Sequence, residues 1–256
     1  MSKKSIINID KICNSVPGKI YYKESTESTN TDAKSAEDAP DKSLFISDSQ
    51  SKGRGRMGRD WSSPAGLGIW MSILLKPEIQ LDYISQLTLI AGLAVTRAIK
   101  NTTIKWPNDI LFGDKKLAGI LTEMSFESDT IKNVVVGIGI NVNNEIFPEE
   151  IKDKATSLFI ETGKETERET LINDILAEFF TMYDEFLEKG FSAFKDEYTK
   201  KCVTLKKDVY ILKNDKIKKA KAISITQSGE LLIEKDGERE VINSYEVSVR
   251  GLLGYS

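Results

Sequence analysis

Residues 53–75 read Gly53-Arg54-Gly55-Arg56-Met57-Gly58-Arg59-Asp60-Trp61, then Ser62-Ser63-Pro64-Ala65-Gly66, then Leu67-Gly68-Ile69-Trp70-Met71-Ser72-Ile73-Leu74-Leu75. Glycine lets a backbone curl and bring its N–H groups close to a ligand. Arginine presents a planar fork of donors suited to phosphate and carboxylate oxygens. The first segment therefore reads as a loop that wraps an anion, or, taken alone, as a plain basic linker. It also satisfies Gly-x-Gly-x-x-Gly, but a dinucleotide fingerprint requires a helix to follow. Here an apolar run of strand character follows, and Leu44-Phe45-Ile46-Ser47 reads as the strand before it. A loop between two strands lies over a sheet, and the Rossmann reading fails on that context.

Composition narrows the function further. The 256 residues suit one large domain, or one domain with a small appendage. At 40% hydrophobic the chain can bury a substantial core. Its 36 basic and 39 acidic residues leave a net charge of −3, so no global positive field points to nucleic acid. Histidine is absent, which removes serine–histidine triads and histidine-based metal sites. Cys13 and Cys202 are far apart and in no metal-like spacing, the pattern of a reduced, cytoplasmic protein. No signal peptide and no run of about 18 apolar residues is visible, so a membrane location is not expected.

Working outward from the loop, Ile20–Lys23 reads as a strand, and Ser28-Thr29-Asn30 stands where it gives way to a helix over Thr31–Ala39. These three residues are N-cap types, or else small polar groups lining a pocket. Ile84–Lys100 has helical apolar spacing and belongs to a core helix. In Ile104-Lys105-Trp106-Pro107-Asn108-Asp109-Ile110-Leu111 the proline forces a bulge or turn. Lys116–Glu123 is the returning strand after a turn at Gly113-Asp114, and Gly119 within it suggests close approach to the backbone. In Val134–Val142, Gly137 and Gly139 leave one strand face bare, to be filled by a neighbouring side chain or a flat ligand. Glu169–Gly190 is a long amphipathic helix and Ser192–Lys200 a shorter one. From Val203 short alternating strands with turns at Asn214-Asp215, Ser228-Gly229 and Asp236-Gly237 suggest a small barrel.

Taken together, Ser28-Thr29-Asn30, Gln50, Gly53–Trp61, Ser63-Pro64, Lys105–Asp109, Lys116–Ile120 and Gly137–Asn141, in that order, resemble the biotin protein ligases. The resemblance covers most of the chain. It implies an α+β fold: a class II aminoacyl-tRNA synthetase-like catalytic domain over residues 1–202, with a mostly antiparallel sheet flanked by helices, and an SH3-like barrel over 203–256. The activity implied is ATP-dependent formation of biotinyl-5′-AMP and transfer of biotin to a lysine of a biotin carboxyl carrier protein. ATP and biotin are the implied substrates, with Mg²⁺ accompanying the nucleotide.

The resemblance also implies residue roles. Lys116, Arg54 and Arg56 would act in catalysis by neutralising carboxylate and phosphate. Ser28, Thr29, Asn30, Gln50, Gly53 and Gly119 would hold biotin beside them. Arg59, Trp61, Lys105, Asn108 and Asp109 would face the nucleotide, with Ile140 and Asn141 against adenine and Arg250 approaching from the barrel. A carboxylate is already a nucleophile at neutral pH, so the lack of histidine is no obstacle. Three departures stand out. Ser28 comes too early for the N-terminal winged helix of many bacterial members, which suggests a ligase that does not bind DNA. Met57 stands where a further arginine is common. No tryptophan after Trp106 is available to cap adenine, leaving Phe147 or Phe159 for that place. Pairing of two copies through the sheet is a further family trait. The rival readings are a lipoate–protein ligase and a non-catalytic biotin sensor.

Overall fold

The computed structural model describes residues 6–128, 130–213, 216–244 and 248–251. Its larger sheet has seven strands: β1 (Ile20–Thr26), β2 (Ser43–Gln50), β3 (Gly68–Leu75), β4 (Thr102–Lys105), β5 (Asp109–Phe112), β6 (Lys115–Glu127) and β7 (Thr130–Asn141). They lie in the order β1-β2-β3-β7-β6-β5-β4. Only β1 and β2 run parallel; every other neighbouring pair is antiparallel. The parallel pair needs a crossover, supplied by α1 (Thr29–Ser35). The proline-interrupted stretch resolves as expected: 106–108 form the connection between β4 and β5, with a cis Trp106–Pro107 bond.

Side-chain alternation divides the sheet into two unlike faces. Ile69, Met71 and Ile73 of β3 and Val134, Val136 and Ile138 of β7 enter the main apolar core. That core is closed by α2 (Ile84–Ala98) and α4 (Arg168–Lys189), which pack on each other. The intervening residues face the other way. There Phe45, Leu74 and Val135 meet Ala33 and Ala39 in a small second cluster under α1. Beyond that cluster the same face carries Ser72, Gly137, Gly139 and Gly119, with little of its own to bury. The apolar side supplies the stability, and the small-residue side is left for a site.

Two short helices complete this unit: α3 (Leu158–Thr162), which the sequence reading did not anticipate, and α5 (Lys195–Lys201). Ahead of β1 the chain makes two 3-10 turns, Ile9–Lys11 and Cys13–Ser15. The helix expected from Thr31 begins at Thr29, and Ser28 stands at its N-cap position.

A second, antiparallel sheet has five strands: β8 (Asp208–Lys213), β9 (Lys216–Ile225), β10 (Leu231–Lys235), β11 (Glu238–Ile242) and β12 (Ser248–Gly251), ordered β11-β10-β9-β8-β12. The expected turn at Asn214-Asp215 lies outside the described residues, whereas those at Ser228-Gly229 and Asp236-Gly237 join β9 to β10 and β10 to β11. Val209, Ile211, Ala222 and Ile233 belong to the same apolar cluster as the first sheet. The seam is also pinned by polar contacts. Trp106, 1% exposed, donates its backbone N–H to Thr204 Oγ1 (2.9 Å) and its indole N–H to the Gly229 carbonyl (3.0 Å).

Trp106→Phe keeps an aromatic ring but removes the indole N–H, stripping the buried Gly229 carbonyl of this donor and leaving a gap where the second ring stood. Urea unfolding of the variant should show a loss of about 1–3 kcal/mol, and an unchanged midpoint would mean that this bond contributes nothing to the seam.

Candidate active site

The glycine–arginine segment is not an open coil. Gln50 bridges Ser63, Arg54 bridges Asp60, and Trp61 N–H donates to the Gly53 carbonyl (2.9 Å). Gly55 N–H donates to the Arg59 carbonyl (2.7 Å), closing a 3-10 turn over Arg56–Gly58. Met57 and Gly58 take left-handed backbone there, with φ of 57° and 70°. Methionine tolerates that conformation less well than glycine, so the ladder on either side holds the tip in shape. The result is a narrow hairpin between β2 and β3, folded over the small-residue face of the sheet.

A cavity of about 770 Å³ lies beneath it. Its floor consists of glycines. Gly119 and Gly139 are direct cross-strand partners, and Gly137 follows two residues before Gly139 on β7. A Cβ on Gly137 would stand 2.2 Å from Asn30 Oδ1, and one on Gly139 2.6 Å from Trp61 Nε1. Of the two fates open to the bare strand face, the structure takes the first: neighbouring side chains fill it. Trp61 turns its ring over this floor, and its buried indole N–H has no hydrogen-bond partner.

At one end of the cavity stands the start of α1. Ser28 occupies the N-cap position without making a side-chain cap bond, although 4% exposed, and it lines the cavity. That arrangement favours the pocket-lining reading over the capping one. Thr29 N–H and Oγ1 donate to Gln50 Oε1 (2.8 and 3.1 Å), and Gln50 Nε2 donates to Ser63 Oγ (2.8 Å). Asn30 donates to the Leu121 carbonyl (3.2 Å) and to Glu123 Oε2 (2.8 Å), and it accepts from Ser72 (2.6 Å). Thr29, Asn30 and Gln50 thus spend much of their capacity on one another's surroundings, which fixes the shape of this wall. Burial alone would raise the pKa of Glu123, but the hydrogen bonds from Lys34 and Asn30 outweigh it and hold the carboxyl below the usual glutamate value.

The cations gather at the other end. Lys116 Nζ is 2.6 Å from Asp109 Oδ1 and 5.0 Å from the centre of the Trp61 ring. Arg56 donates to Asn108 Oδ1 (3.1 Å) and to the Ser244 carbonyl of the second sheet. Burial pulls the Arg56 pKa below its ordinary value, with Asp109 opposing the shift and Arg59 adding to it. A partly desolvated guanidinium on a cavity wall gains from an incoming anion. Lys105, 7% exposed, and Asn141, whose amide donates to the Thr156 carbonyl (3.1 Å), line the same space, as does Arg59.

Four expectations need correction or division. Ile140 is fully buried in the apolar core on the helix side of the sheet, because period-two alternation turns it away from Gly139 and Asn141. Its side chain therefore does not reach the cavity. Gly53 is not part of the lining; its bareness serves the hairpin, since a Cβ there would stand 2.4 Å from the Trp61 carbonyl. Arg54 and Arg56 both line the cavity but are not equivalent: Arg54 is exposed and donates to Thr31 Oγ1 (2.7 Å), whereas Arg56 is half-buried against Asn108 and the Ser244 carbonyl. Arg250 lies in β12 opposite Tyr210, but its side chain is outside the described residues.

The sequence reading also missed parts of the wall. Ile146, Pro148 and Ile151, from the loop after β7, line the cavity beside Phe147, and so does Val249 of the second sheet. Of the two phenylalanines considered as a cap, Phe147 belongs to this lining and Phe159 does not. An apolar cluster in an otherwise acidic loop was the available signal. Among the described residues no group of three or more Cys, Asp or Glu side chains is arranged to hold a metal ion, and no helix is long and apolar enough to cross a membrane.

Residues 21–141 match the biotin/lipoate A/B protein ligase family. A biotin–[acetyl-CoA-carboxylase] ligase from Paracoccus denitrificans is 30% identical over 88% of this chain and 98% of its own length. The chain belongs to the biotin protein ligase family. The bifunctional ligase/repressor BirA of Bacillus spizizenii is 47% identical over 61% of this chain, and the match spans only 50% of that longer protein. Among solved structures, the biotin protein ligase from Aquifex aeolicus in complex with biotin and ATP superposes with a TM-score of 0.82 at 34% identity, covering 91% of this chain and 99% of that one.

Two measurements test the site. Gly139→Ala should push the Trp61 indole off its floor and shift tryptophan emission to longer wavelength, while Gly137→Ala, which meets Asn30 instead, should leave emission in place. Equal spectra for the two variants would mean that Trp61 does not rest there. For Glu123, whose folded pKa is depressed, the stabilisation is present above the ordinary glutamate pKa of about 4.5 and is lost as pH falls through the lower folded value. The stability gap between wild type and Glu123→Gln should therefore narrow in acid, and a gap constant from pH ~6 to pH ~3 would contradict the coupling.

Proposed function

We propose that this chain is a biotin–protein ligase, which adenylates biotin and then passes it to a lysine of a biotin carboxyl carrier protein. The observation that carries this reading is the gathering of Arg56 and Lys116 beside Asn108 and Asp109 in one glycine-floored cavity that Ser28, Thr29 and Asn30 also line. Two anions must meet there. Biotin's carboxylate oxygen attacks the α-phosphorus of ATP, a P–O bond forms, and pyrophosphate departs with the electron pair of the broken bond. Neither reactant needs a general base. The barrier is the mutual repulsion of the reactants and their orientation, which fixed cations in a partly dry site lower.

In this reading Arg56 holds carboxylate and phosphate oxygens together, and Lys116 stabilises the charge that develops on the α-phosphate. The Asp109 carboxylate keeps the Lys116 ammonium directed into the cavity until a phosphate competes for it. Ser28, Thr29, Asn30 and Gln50 form the end that receives the ring of biotin, which lies along Gly119. Trp61, Lys105, Asn108, Arg59 and Asn141 border the nucleotide, with the Ile146–Ile151 loop closing over adenine. ATP enters with Mg²⁺, carried by the triphosphate oxygens as part of the substrate. In the second half-reaction the carrier's neutral lysine amine attacks the acyl carbon, Lys116 steadies the tetrahedral oxyanion, and AMP leaves.

Further readings go with this one. Residues 1–202 are the catalytic domain, of the class II aminoacyl-tRNA synthetase type, and 203–256 an SH3-like barrel. The carrier is a biotin-dependent carboxylase subunit, as the name of the Paracoccus relative suggests for that protein. Pairing of two copies is read from family likeness alone.

Incubation with biotin and ATP should release pyrophosphate, and a carrier domain added afterwards should become labelled. Turnover with lipoate in place of biotin, or binding of biotin and ATP with no pyrophosphate, would overturn the reading. Lys116→Ala should slow adenylation by about 10²–10³-fold. Arg56→Gly should release free adenylate that labels bystander lysines, whereas Arg54→Gly, an exposed site, should do so much less; the reverse order would move the clamp back to Arg54.

A further inference from the structure

Behind the cavity lies a buried charge cluster that the chemistry above does not use. Arg168, the first residue of α4, is 1% exposed and Asp48 of β2 is 3% exposed. Arg168 Nη2 donates to Asp48 Oδ1 (2.8 Å), and Nη1 donates to the Gly68 carbonyl (3.1 Å). Asp48 also accepts from the Tyr22 hydroxyl (2.5 Å) and from the Ile7 backbone N–H (3.3 Å to each oxygen). Its own carbonyl accepts from Gly66 N–H (3.2 Å).

The location of the two arginine contacts is what matters. Asp48 stands two residues before Gln50, where β2 gives way to the hairpin. Gly68 is the first residue of β3, where the hairpin returns. One guanidinium therefore spans both feet of the 51–67 segment. A Cβ at Gly68 would stand 2.3 Å from the Trp70 ring, so this foot has no slack of its own.

The residues just before Arg168 hold the opposite wall. Thr166 and Asn143 exchange hydrogen bonds: the Asn143 amide donates to the Thr166 carbonyl (3.0 Å) and Thr166 N–H donates to Asn143 Oδ1 (3.0 Å). Asn143 N–H in turn donates to the Leu67 carbonyl (2.6 Å). The loop bearing Asn144, Ile146 and Phe147 thus hangs from the same three-residue stretch as the arginine hairpin.

We propose that Arg168 is a positioning residue for the reaction: from behind the sheet it sets the arginine hairpin and, through Thr166 and Asn143, the nucleotide-side loop in register with each other. The inference rests on the ligase reading above. A buried arginine is costly, and a pair of well-packed apolar residues would stabilise the fold as well or better. What an apolar pair could not do is tie a carboxylate on β2 and a backbone carbonyl on β3 to one rigid fork at hydrogen-bond precision. In-line attack between two substrates held by two different loops requires that precision, since a misplacement of about 1 Å costs about a hundredfold in rate.

The test first assays the wild type for biotin-dependent pyrophosphate release; absence of activity there counts against the ligase reading and not against Arg168. In an active enzyme, Arg168→Lys retains the charge beside Asp48 but cannot reach two acceptors with one fork. Asp48→Asn/Arg168→Met removes both charges together, so that no unpaired ion is left buried, and keeps an oxygen for Tyr22 and Ile7. Either variant that retains the cooperative unfolding of the wild type serves. The expected result is a fall of about tenfold or more in kcat, with a rise in KM for biotin and for ATP together, and with Arg168→Lys less affected than the double variant. Trypsin should also continue to cleave the hairpin at Arg54, Arg56 or Arg59 in the presence of both substrates, under conditions that protect the wild type. A fold-only role predicts a lower Tm with kcat, both KM values and the protection unchanged, and that outcome overturns the proposal. A rise confined to one substrate overturns the shared anchor.

Discussion

The site depends on an absence of side chains. Gly119, Gly137 and Gly139 clear a patch in the middle of a sheet whose other face is packed with Val134, Val136, Ile138 and Ile120. A sheet can be stripped in this way only when its opposite face buries enough apolar area to hold it, at about 25 cal/mol for each Å² removed from water. α2 and α4 supply that burial. The bare patch then accepts what the loops lay on it: Asn30 over Gly137, and Trp61 over Gly139 and beside Gly119. The walls of the cavity are defined by where these two side chains come to rest.

Electrostatics arranges what packing leaves open. The cavity holds Arg56, Lys116 and Lys105 with few anions to balance them, and Asp109 is the partner of Lys116 at 2.6 Å. Such a site is costly to keep dry when empty and favourable once phosphate or carboxylate oxygens enter. The near-neutral charge of the whole chain conceals this local excess. The field an entering anion would meet is set by the few cations that line the cavity and not by the net charge of the chain.

Much of this was legible in the sequence, for physical reasons that differ by element. The strand after Trp61 gave itself away by an unbroken apolar run, and the two long helices by their spacing. The glycine pair at 137 and 139 announced a bare face through period two alone, yet could not say whether ligand or side chain would cover it. Ile140 was read together with Asn141 because a motif is read as a string, while a strand sends alternate side chains to opposite faces and that of Ile140 lies in the core. Arg54 and Arg56 both follow a glycine, and the sequence alone does not tell the exposed one from the half-buried one that begins the 3-10 turn. The Asp48–Arg168 pair, 120 residues apart in the chain, had no local signature at all.

One contact reaches across the whole molecule. Arg56, at the tip of the hairpin, donates to the carbonyl of Ser244 beyond β11, and Val249 of β12 borders the same cavity. The apolar core, too, runs without a break from the first sheet into the second. The C-terminal sheet is therefore no detachable module: exchanging it for another small sheet of the same outline would have to reproduce one backbone oxygen in its present position. A change confined to the second sheet can in this way alter the wall of a cavity built on the first.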